Sequence, residues 1–328
     1  MRALRFARFG DPRDMLRLEN IPAPEPRADE VRIRFTHRPI NPSDLLTVRG
    51  DYRIFTQPPL TPGLEGVGVI DALGDGVSGL SVGQRVISLA GLPGTWAEQF
   101  VVPAERAMPL PDAVPDEVGA QALANPVTAW ALLYDELPLR HGDWLLQTAA
   151  ASTLGKLVAA LARRRGVRTV NVVRRRDQAQ AVLDAGGDAV VVTDEESLID
   201  RVLAVTRDTG VGVAIDAVGG SLGAQLVSCL RPGGVLYSYG LLSGSELGSI
   251  DAKALIFDNV TVRGFWIIEW FQRRPPEVIS RALTEVVTML ACGDLRPNVE
   301  AEYDLGEFGR AIAHAERAGR QGKILLTG

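Results

Sequence analysis

The sequence predicts an α/β protein in which a barrel-like domain of short antiparallel strands is followed by a doubly wound parallel sheet. Residues 1–118 carry many short strand patterns at close spacing with little helix between them, which is typical of an antiparallel barrel. From residue 119 onward, strand and helix patterns alternate, and this alternation indicates a parallel sheet with helices on both faces.

The first domain is predicted from segments that alternate apolar and polar residues. Such alternation places every second side chain on one face of a half-buried strand. Around Arg2 and Arg5 the alternating pattern favours a first strand, and the apolar stretch of a signal peptide is missing from the sequence there. Four further strands are predicted at 31–35, 66–70, 85–89 and 97–102.

The second domain is predicted to begin with helical stretches at 117–123 and 126–133. A buried strand at 144–146, a loop of small residues, a helix from Gly155 and a strand at 169–173 then make one βαβ unit. Later strands are predicted where apolar runs recur at helix-length intervals, at 189–192, 213–217, 235–239 and 261–265.

The C-terminal tail is predicted to return to the first domain. It offers a strand after Pro297, a helix over 307–317 and a closing strand over 323–327. The predicted division is therefore 1–118 with 266–328 for the barrel domain, and 119–265 for the domain of the parallel sheet.

Composition limits the classes of partner. The 328 residues, 46% of them hydrophobic, suffice for two domains with a core each. A net charge of −5 gives no reason to expect nucleic acid as a partner. Cys229 and Cys292 are too few for a disulfide framework and favour a reducing cytoplasm. No apolar run in the sequence approaches the ~20 residues that span a membrane, so no membrane partner is expected.

The loop between the first two strands of the parallel sheet is a candidate phosphate-binding site. Backbone N–H groups at a helix N-terminus favour a pyrophosphate, and Ser152, Thr153, Leu154 and Gly155 occupy this place. The three glycines of a full dinucleotide fingerprint are reduced to Gly155, with alanines at 149–151. An ordinary buried turn is therefore an open alternative for the loop.

Three arginines follow the second strand, where an NAD-binding site would carry an acidic residue. Arg174, Arg175 and Arg176 suit a 2′-phosphate, so the strand end favours NADP(H) over NAD(H). A solvated basic start to the next helix is the alternative interpretation.

Motifs along the whole chain resemble the medium-chain dehydrogenase/reductase superfamily. They are INPSD at 40–44, PGLEGVG at 62–68, GDW at 142–144, IDAVGG at 215–220 and GKILL at 322–326. The resemblance implies a GroES-like catalytic domain and a Rossmann domain that binds a nicotinamide cofactor. The zinc alcohol dehydrogenases of the superfamily carry a histidine where this chain has Leu64, and four structural cysteines where it has two in all. We therefore expect no metal.

Within the zinc-free branch, several segments resemble the mitochondrial-type 2-enoyl thioester reductases. They are INPSDLLTVRGDYR, NPVTAWALL, GDWLLQTAAASTLG, RTVNVVRRR and FDNVTVRGFW. Quinone oxidoreductases are the next most similar group. The resemblance implies a reductase that uses NADPH to reduce an enoyl thioester carried on coenzyme A or acyl carrier protein.

The resemblance also assigns the proton side of the reaction. In enoyl reduction, negative charge builds on the thioester oxygen, and a hydrogen-bond donor should lie there. Tyr52 matches the tyrosine that fills this role in the resembling enzymes, and its phenol stays protonated at neutral pH. A plain surface tyrosine is the alternative.

The remaining candidates line the cofactor or the acyl chain. Asn41 and Thr128 lie in motifs that flank the nicotinamide in the resembling enzymes, although Asn41-Pro42 is also a good turn. Trp266 and Trp270, four residues apart, are candidates for the substrate pocket together with Tyr52; Trp266 could equally be core at a dimer interface. Further candidate cofactor-binding residues are Tyr239, Gly240, Phe265, Trp266 and Lys323.

Three functions remain open from the sequence. The first is NADPH-dependent reduction of trans-2-enoyl thioesters, and the second is reduction of quinones or alkenals with the same cofactor. The third is a cofactor-binding protein without turnover, because a fold alone does not fix function. We also expect a homodimer, since strand 261–265 would end the parallel sheet with an unpaired apolar edge.

Overall fold

The computed structural model describes residues 1–53, 57–89 and 93–328. Within these ranges the chain forms fifteen strands: β1 (Arg2–Arg5), β2 (Arg17–Asn20), β3 (Glu30–Pro39), β4 (Gly66–Leu73), β5 (Arg85–Ser88), β6 (Gln99–Pro103), β7 (Ala107–Pro109), β8 (Trp144–Gln147), β9 (Arg168–Val173), β10 (Ala189–Val192), β11 (Val211–Asp216), β12 (Leu230–Ser238), β13 (Thr261–Gly264), β14 (Val299–Asp304) and β15 (Lys323–Thr327).

The same ranges contain twelve α-helices: α1 (Pro12–Met15), α2 (Pro42–Arg49), α3 (Asp116–Gly119), α4 (Ala124–Ala131), α5 (Thr153–Arg164), α6 (Ala179–Asp184), α7 (Leu198–Thr206), α8 (Gly220–Ser228), α9 (Ala252–Ile256), α10 (Ile267–Arg273), α11 (Pro276–Ala291) and α12 (Phe308–Ala315). A π-helical turn, Leu132–Glu136, extends α4.

Two compact units divide the chain. Residues 1–126 with 283–328 make the first unit, and residues 127–282 make the second. The division falls later than the predicted boundaries at 118 and 265. One reason is that Trp270, predicted to belong to the first domain, packs edge-on against Trp130 and donates its indole N–H to Asp135, both in the second unit.

The first unit is built on a mainly antiparallel sheet with the order β14-β15-β3-β4-β5-β7, and β6 also pairs with β3. One pair departs from the antiparallel prediction, because β14 and β15 run parallel. The tail returns to this unit as predicted, since β15 pairs with β3 through Leu325–Pro39, Leu326–Arg38 and Thr327–His37.

Arg38 fixes the closing strand in this sheet. Its guanidinium is fully buried and donates to the carbonyl oxygens of Ala97 at 2.9 Å and Gly328 at 2.6 Å. Burial lowers the pKa of Arg38 to about 10, although the charges of Glu98 and Asp304 act in the opposite direction. The register of β15, and with it the position of Lys323 at its start, is therefore held by a buried cation.

The second unit, all of whose residues are described, holds a six-stranded parallel sheet with the order β10-β9-β8-β11-β12-β13. The strand order reverses between β8 and β11, and in such sheets ligands bind outside the carboxyl ends of the strands at this point. The main core packs apolar residues of these strands against the helices, among them Leu146, Val170, Val202, Ala214, Leu226 and Leu236. The predicted doubly wound sheet is confirmed.

Candidate functional site

The loop from β8 to α5 has the backbone of a phosphate-binding turn. Ser152 is the N-cap of α5, and its hydroxyl accepts the N–H of Gly155 at 3.0 Å. Ala149 adopts a positive φ of 50°, a conformation that favours glycine. At Gly155 an added Cβ would lie 2.6 Å from the backbone of Ala149 and Ala150. Gly155, the glycine of the fingerprint that this loop retains, therefore allows the first turn of α5 to pack closely against residues 149 and 150.

Polar side chains tie the strand ends together at the reversal point of the sheet. Thr148, after β8, donates its hydroxyl to the buried carboxylate of Asp216 at the end of β11 over 2.5 Å. The same carboxylate accepts the N–H groups of Val218 and Gly219 at 2.9 and 2.8 Å. Neither Thr148 nor Asp216 was predicted as a site residue, although Asp216 lies in the IDAVGG motif.

Tyr239 and Gly240 follow β12 beside this point. Among the described residues, the buried hydroxyl of Tyr239 has no hydrogen-bond partner, and burial near Asp216 raises its pKa well above the usual value. An added Cβ on Gly240 would lie 2.6 Å from the carbonyl oxygen of Ala217. A buried donor without a partner is costly and is what a bound polar ligand would satisfy.

The three arginines after β9 are not equivalent. Arg175 pairs with Asp177 at 3.2 Å, and Arg176 pairs with Glu195. Two of the three arginines therefore already have carboxylate partners. Arg174 is exposed, and its guanidinium makes no ion pair with any described carboxylate. It is the arginine of the three that remains available for an anionic ligand.

The first unit contains a buried polar cluster that joins two predicted site residues. Lys323 donates its ammonium to Oδ1 of Asn41 at 2.6 Å, and Nδ2 of Asn41 donates to Glu65 at 2.8 Å. The second oxygen of Glu65 accepts the N–H groups of Leu123 and Ala124 at 3.1 and 2.9 Å. Glu65 lies in the PGLEGVG motif, and the sequence alone predicted no role for its side chain.

Asp44 completes this cluster from the first turn of α2. Its Oδ2 accepts the backbone N–H of Asn41 at 2.8 Å, while its Oδ1 has no partner among the described residues. Burial raises the pKa of Asp44 to about 7 and lowers the pKa of Lys323 to about 8, and it also raises the pKa of Glu65. Two carboxyl groups and one ammonium thus share a site without solvent.

Tyr52 lies just beyond α2 in the first unit. Gly50 ends the helix in the left-handed conformation with a φ of 88°, and the N–H of Tyr52 donates to the carbonyl oxygen of Leu46 at 3.3 Å. The side chain of Tyr52 is half-buried. The helix that begins beside the Asn41 cluster therefore ends at Arg49, shortly before the predicted catalytic tyrosine.

The remaining predicted residues lie in the second unit. Thr128 is buried in α4, and Phe265 is buried directly after β13. Trp266 has extended backbone and precedes α10, so it does not share a helical face with Trp270. Trp270 is fully buried with its indole N–H bound to Asp135, which makes it a core residue rather than the exposed wall of a pocket.

The π-helical turn explains how Trp270 is held. It directs Asp135 and Glu136 toward α10, where Arg274 donates to Asp135 at 2.5 Å and to Glu136 at 2.8 Å. Such turns are rare and occur often near functional sites. Asp135 and Glu136 were not singled out in the sequence, because an i→i+5 turn leaves no periodic signal there.

The described part of the chain contains neither a metal-binding cluster nor a membrane-spanning helix. No group of three or more His, Cys, Asp or Glu side chains in residues 1–53, 57–89 and 93–328 is arranged to hold a metal ion. In the same ranges, no helix has both the length and the apolar character that crossing a bilayer requires.

Two known families match separate parts of the chain. Residues 27–112 match the alcohol dehydrogenase GroES-like domain, and residues 153–284 match the zinc-binding dehydrogenase family. The mitochondrial enoyl-[acyl-carrier-protein] reductase of Xenopus tropicalis is 31% identical over 322 residues, covering 96% of this chain and 92% of the relative. The chain belongs to the medium-chain dehydrogenase/reductase superfamily. The mitochondrial enoyl-[acyl-carrier-protein] reductase of Dictyostelium discoideum is 30% identical to this chain, and the match covers 99% of this chain and 94% of the relative.

Solved structures of the superfamily share the fold over the whole chain. A provisionally assigned NADPH:quinone reductase from Bacillus thuringiensis has a TM-score of 0.93 at 32% identity, covering 100% of this chain and 98% of its own. A mycobacterial protein solved in complex with NADPH has a TM-score of 0.88 at 28% identity, covering 100% of both chains. The predicted resemblance, including the quinone reductase branch, is confirmed.

Proposed function

We propose that this protein is an NADPH-dependent reductase of activated carbon–carbon double bonds, with trans-2-enoyl thioesters as substrates. The observation that carries the proposal is the similarity to enoyl-[acyl-carrier-protein] reductases, which extends over nearly the full length of both chains. The carrier of the acyl group would be coenzyme A or acyl carrier protein. Location in the cytoplasm stays a prediction from cysteine use, since the relatives are named as mitochondrial enzymes.

The residues of the second unit fit NADPH. Ser152, Thr153, Leu154 and Gly155 would receive the pyrophosphate at the N-terminus of α5, where the backbone N–H groups and the helix dipole favour negative charge. Arg174 would pair with the 2′-phosphate, because Arg175 and Arg176 already have carboxylate partners. The buried hydroxyl of Tyr239 offers a donor for the same ligand.

The chemistry divides between cofactor and protein. NADPH supplies a hydride, and the chain must supply a hydrogen bond to the thioester oxygen while negative charge builds there. Tyr52 is proposed for this hydrogen bond, because its phenol is a donor at neutral pH and it closely follows the C-terminus of α2. With this donor the reaction needs no metal, and we propose a zinc-independent enzyme.

A second candidate function is reduction of quinones or alkenals. The solved structure at 32% identity with a quinone reductase assignment favours it, and it would use the same cofactor residues. A third candidate, cofactor binding without turnover, would share these residues and lack the role of Tyr52.

A panel assay separates the three. NADPH oxidation is followed with trans-2-butenoyl-coenzyme A, longer trans-2-enoyl thioesters, an alkenal and a benzoquinone. The proposal expects the highest kcat/KM with an enoyl thioester. A quinone or alkenal that exceeds every thioester favours the second function, and NADPH binding without turnover on the whole panel favours the third.

A further inference from the structure

The orientation of the Asn41 amide is dictated by its neighbours. Lys323 is a donor only, so the atom of Asn41 that faces it at 2.6 Å must be the oxygen. The Glu65 oxygen at 2.8 Å accepts from Asn41, so the atom facing it is the nitrogen. A flipped amide would place its NH2 group against the Lys323 ammonium and its oxygen against the Glu65 carboxylate, so neither hydrogen bond could form. The cluster therefore allows one orientation.

Glu65 is itself fixed by backbone. Its second oxygen accepts two N–H groups, from Leu123 and Ala124, and the side chain is 1% exposed. These two N–H groups cannot rotate to suit another side chain. Glu65 therefore transmits a rigid geometry to Asn41, and Asn41 starts the helix that ends before Tyr52.

Among the described residues, Glu65 accepts one of the two N–H groups on Nδ2 of Asn41, and the second N–H is not used within this cluster. An amide nitrogen has two hydrogens and its oxygen has two lone pairs, of which Glu65 and Lys323 use one each. We propose that Glu65 and Lys323 are positioning residues that lock the Asn41 amide, so that its second N–H donates to the bound nicotinamide cofactor. The inference rests on the proposed function, because it needs NADPH as the ligand.

An exchange of the two side-chain types tests this proposal. Glu65→Gln leaves one acceptor oxygen for three donors, and Asn41→Asp places a second carboxylate against Glu65. Both single variants should lose thermal stability. They should also bind NADPH about tenfold or more weakly, because the donor is misplaced in the first and absent in the second.

The double variant N41D/E65Q restores the pattern. The glutamine NH2 would donate to the new carboxylate at position 41, and the glutamine oxygen would accept from Leu123 and Ala124. Lys323 would keep an acceptor, and the net charge would be unchanged. The melting temperature should therefore return close to that of the wild type. NADPH affinity, measured by calorimetry, should stay about tenfold below wild type, because an aspartate side chain has no N–H to donate.

A matched control exists in the same unit. Gln99 donates its amide to Asp71 at 2.6 Å, and Asp71 also accepts from Arg32 at 2.7 Å. The double variant D71N/Q99E exchanges the same side-chain types outside the cluster and keeps an acceptor oxygen for Arg32. This control should bind NADPH with wild-type affinity. The decisive comparison is between N41D/E65Q and the wild type, and it does not require either single variant to fold.

Two results overturn the inference. If N41D/E65Q regains both melting temperature and NADPH affinity, the Asn41 amide has only a structural role. If it regains neither, the hydrogen-bond chain does not account for the cluster. Failure of the proposed function is distinct from these outcomes, because a wild type that binds NADPH without reducing any thioester still permits the binding comparison.

Discussion

At the scale of single residues, Tyr52 is the proposed donor to the thioester oxygen. Tyr52→Phe removes one donor with little change in volume, so kcat should fall about 100-fold, as for loss of one oxyanion donor. NADPH affinity should stay at the wild-type value, because the phenol acts on the substrate. Stopped-flow turnover and calorimetric titration of the variant check both parts.

Two other tyrosines serve as controls for this substitution. Tyr303 donates to or accepts from His314 at 2.9 Å, and Tyr134 stacks on Trp130. Their replacement by phenylalanine should cost stability at most and leave kcat within about twofold of wild type, well inside the loss expected for a transition-state donor. If Tyr52→Phe retains more than half of the activity, another group polarises the thioester.

Arg174 should determine the choice between NADPH and NADH. Arg174→Ala should weaken NADPH binding by about tenfold or more, through loss of a charge-assisted phosphate contact, and should leave NADH binding unchanged. Arg176→Ala is the matched control with a smaller expected effect, since Arg176 is engaged by Glu195. Equal losses for both cofactors in Arg174→Ala would contradict the assignment.

The buried cluster predicts how stability depends on pH. Burial raises the pKa of Asp44 to about 7, so the folded state holds this proton more tightly than the unfolded state does. The contribution of Asp44 to the free energy of unfolding is therefore full below about pH 4 and is lost as the pH rises toward 7. Glu65, whose pKa is also raised, acts in the same direction.

Asp44→Asn tests this dependence. The asparagine oxygen can still accept the N–H of Asn41, and the variant cannot ionise. Its free energy of unfolding in urea should fall less steeply than that of wild type between about pH 4 and about pH 7. An unchanged slope would show that Asp44 ionises in the folded protein as easily as in the unfolded chain.

At the scale of elements, two glycines near the start of helices, Gly155 in α5 and Gly309 in α12, should respond oppositely to replacement by alanine. Gly155→Ala would place a Cβ 2.6 Å from the backbone of Ala149 and Ala150, and should lower the free energy of unfolding by about 1–3 kcal/mol. It should also weaken NADPH binding, because α5 is displaced from the loop. Gly309→Ala, in α12 with nothing within 4 Å, should be neutral or stabilise by up to about 1 kcal/mol. Chemical denaturation of both variants measures the difference, and equal effects would contradict it.

Local pattern predicted the strands well. The closing strand β15 spans the predicted residues 323–327, and β10 spans the predicted 189–192, because both are apolar runs bounded by turns. Helix α3 ends at Gly119, although periodicity predicted helix to 123. The N–H groups of Leu123 and Ala124, which a continued helix would use internally, bind Glu65 instead. Glu65 precedes Leu123 by 58 positions and Ala124 by 59, so these contacts leave no signal in the local sequence.

The site was predictable to the extent that motifs carried it. Positions beside strands and in motifs predicted the loop 152–155, Arg174 and Asn41 as site residues, and these assignments stay predictions. Glu65 and Thr148 were missed because their roles arise from partners distant in sequence, Asn41 and Asp216. Trp266 and Trp270 do not share a helical face, because α10 begins only at Ile267 and spacing alone does not show that boundary.

At the scale of the whole molecule, the predicted homodimer follows from the edge of the parallel sheet. Strand β13 is the outer strand, and Thr261, Arg263 and Gly264 on it are exposed. Two large apolar side chains shortly before β13 are also exposed. Ile256, the last residue of α9, is 70% exposed, and Phe257, which follows it, is 76% exposed. Pairing of two β13 strands would satisfy the backbone groups of the edge and could cover these side chains.

Light scattering checks this assembly. Wild type should be a dimer at micromolar concentration, and Phe257→Asp should shift it toward monomer by placing a charge in the contact. Val82→Asp, at an apolar residue 61% exposed in the first unit, should remain dimeric. A monomeric wild type would refute the prediction.

The central claim is that the molecule reduces the double bond of an enoyl thioester with NADPH. The most direct measurement uses NADPH deuterated at the transferred position with trans-2-butenoyl-coenzyme A, and locates deuterium in the product by mass spectrometry. The account predicts saturated butanoyl thioester with one deuterium on the β-carbon and a solvent proton on the α-carbon. Recovery of unreduced thioester while a benzoquinone is reduced under the same conditions would contradict it.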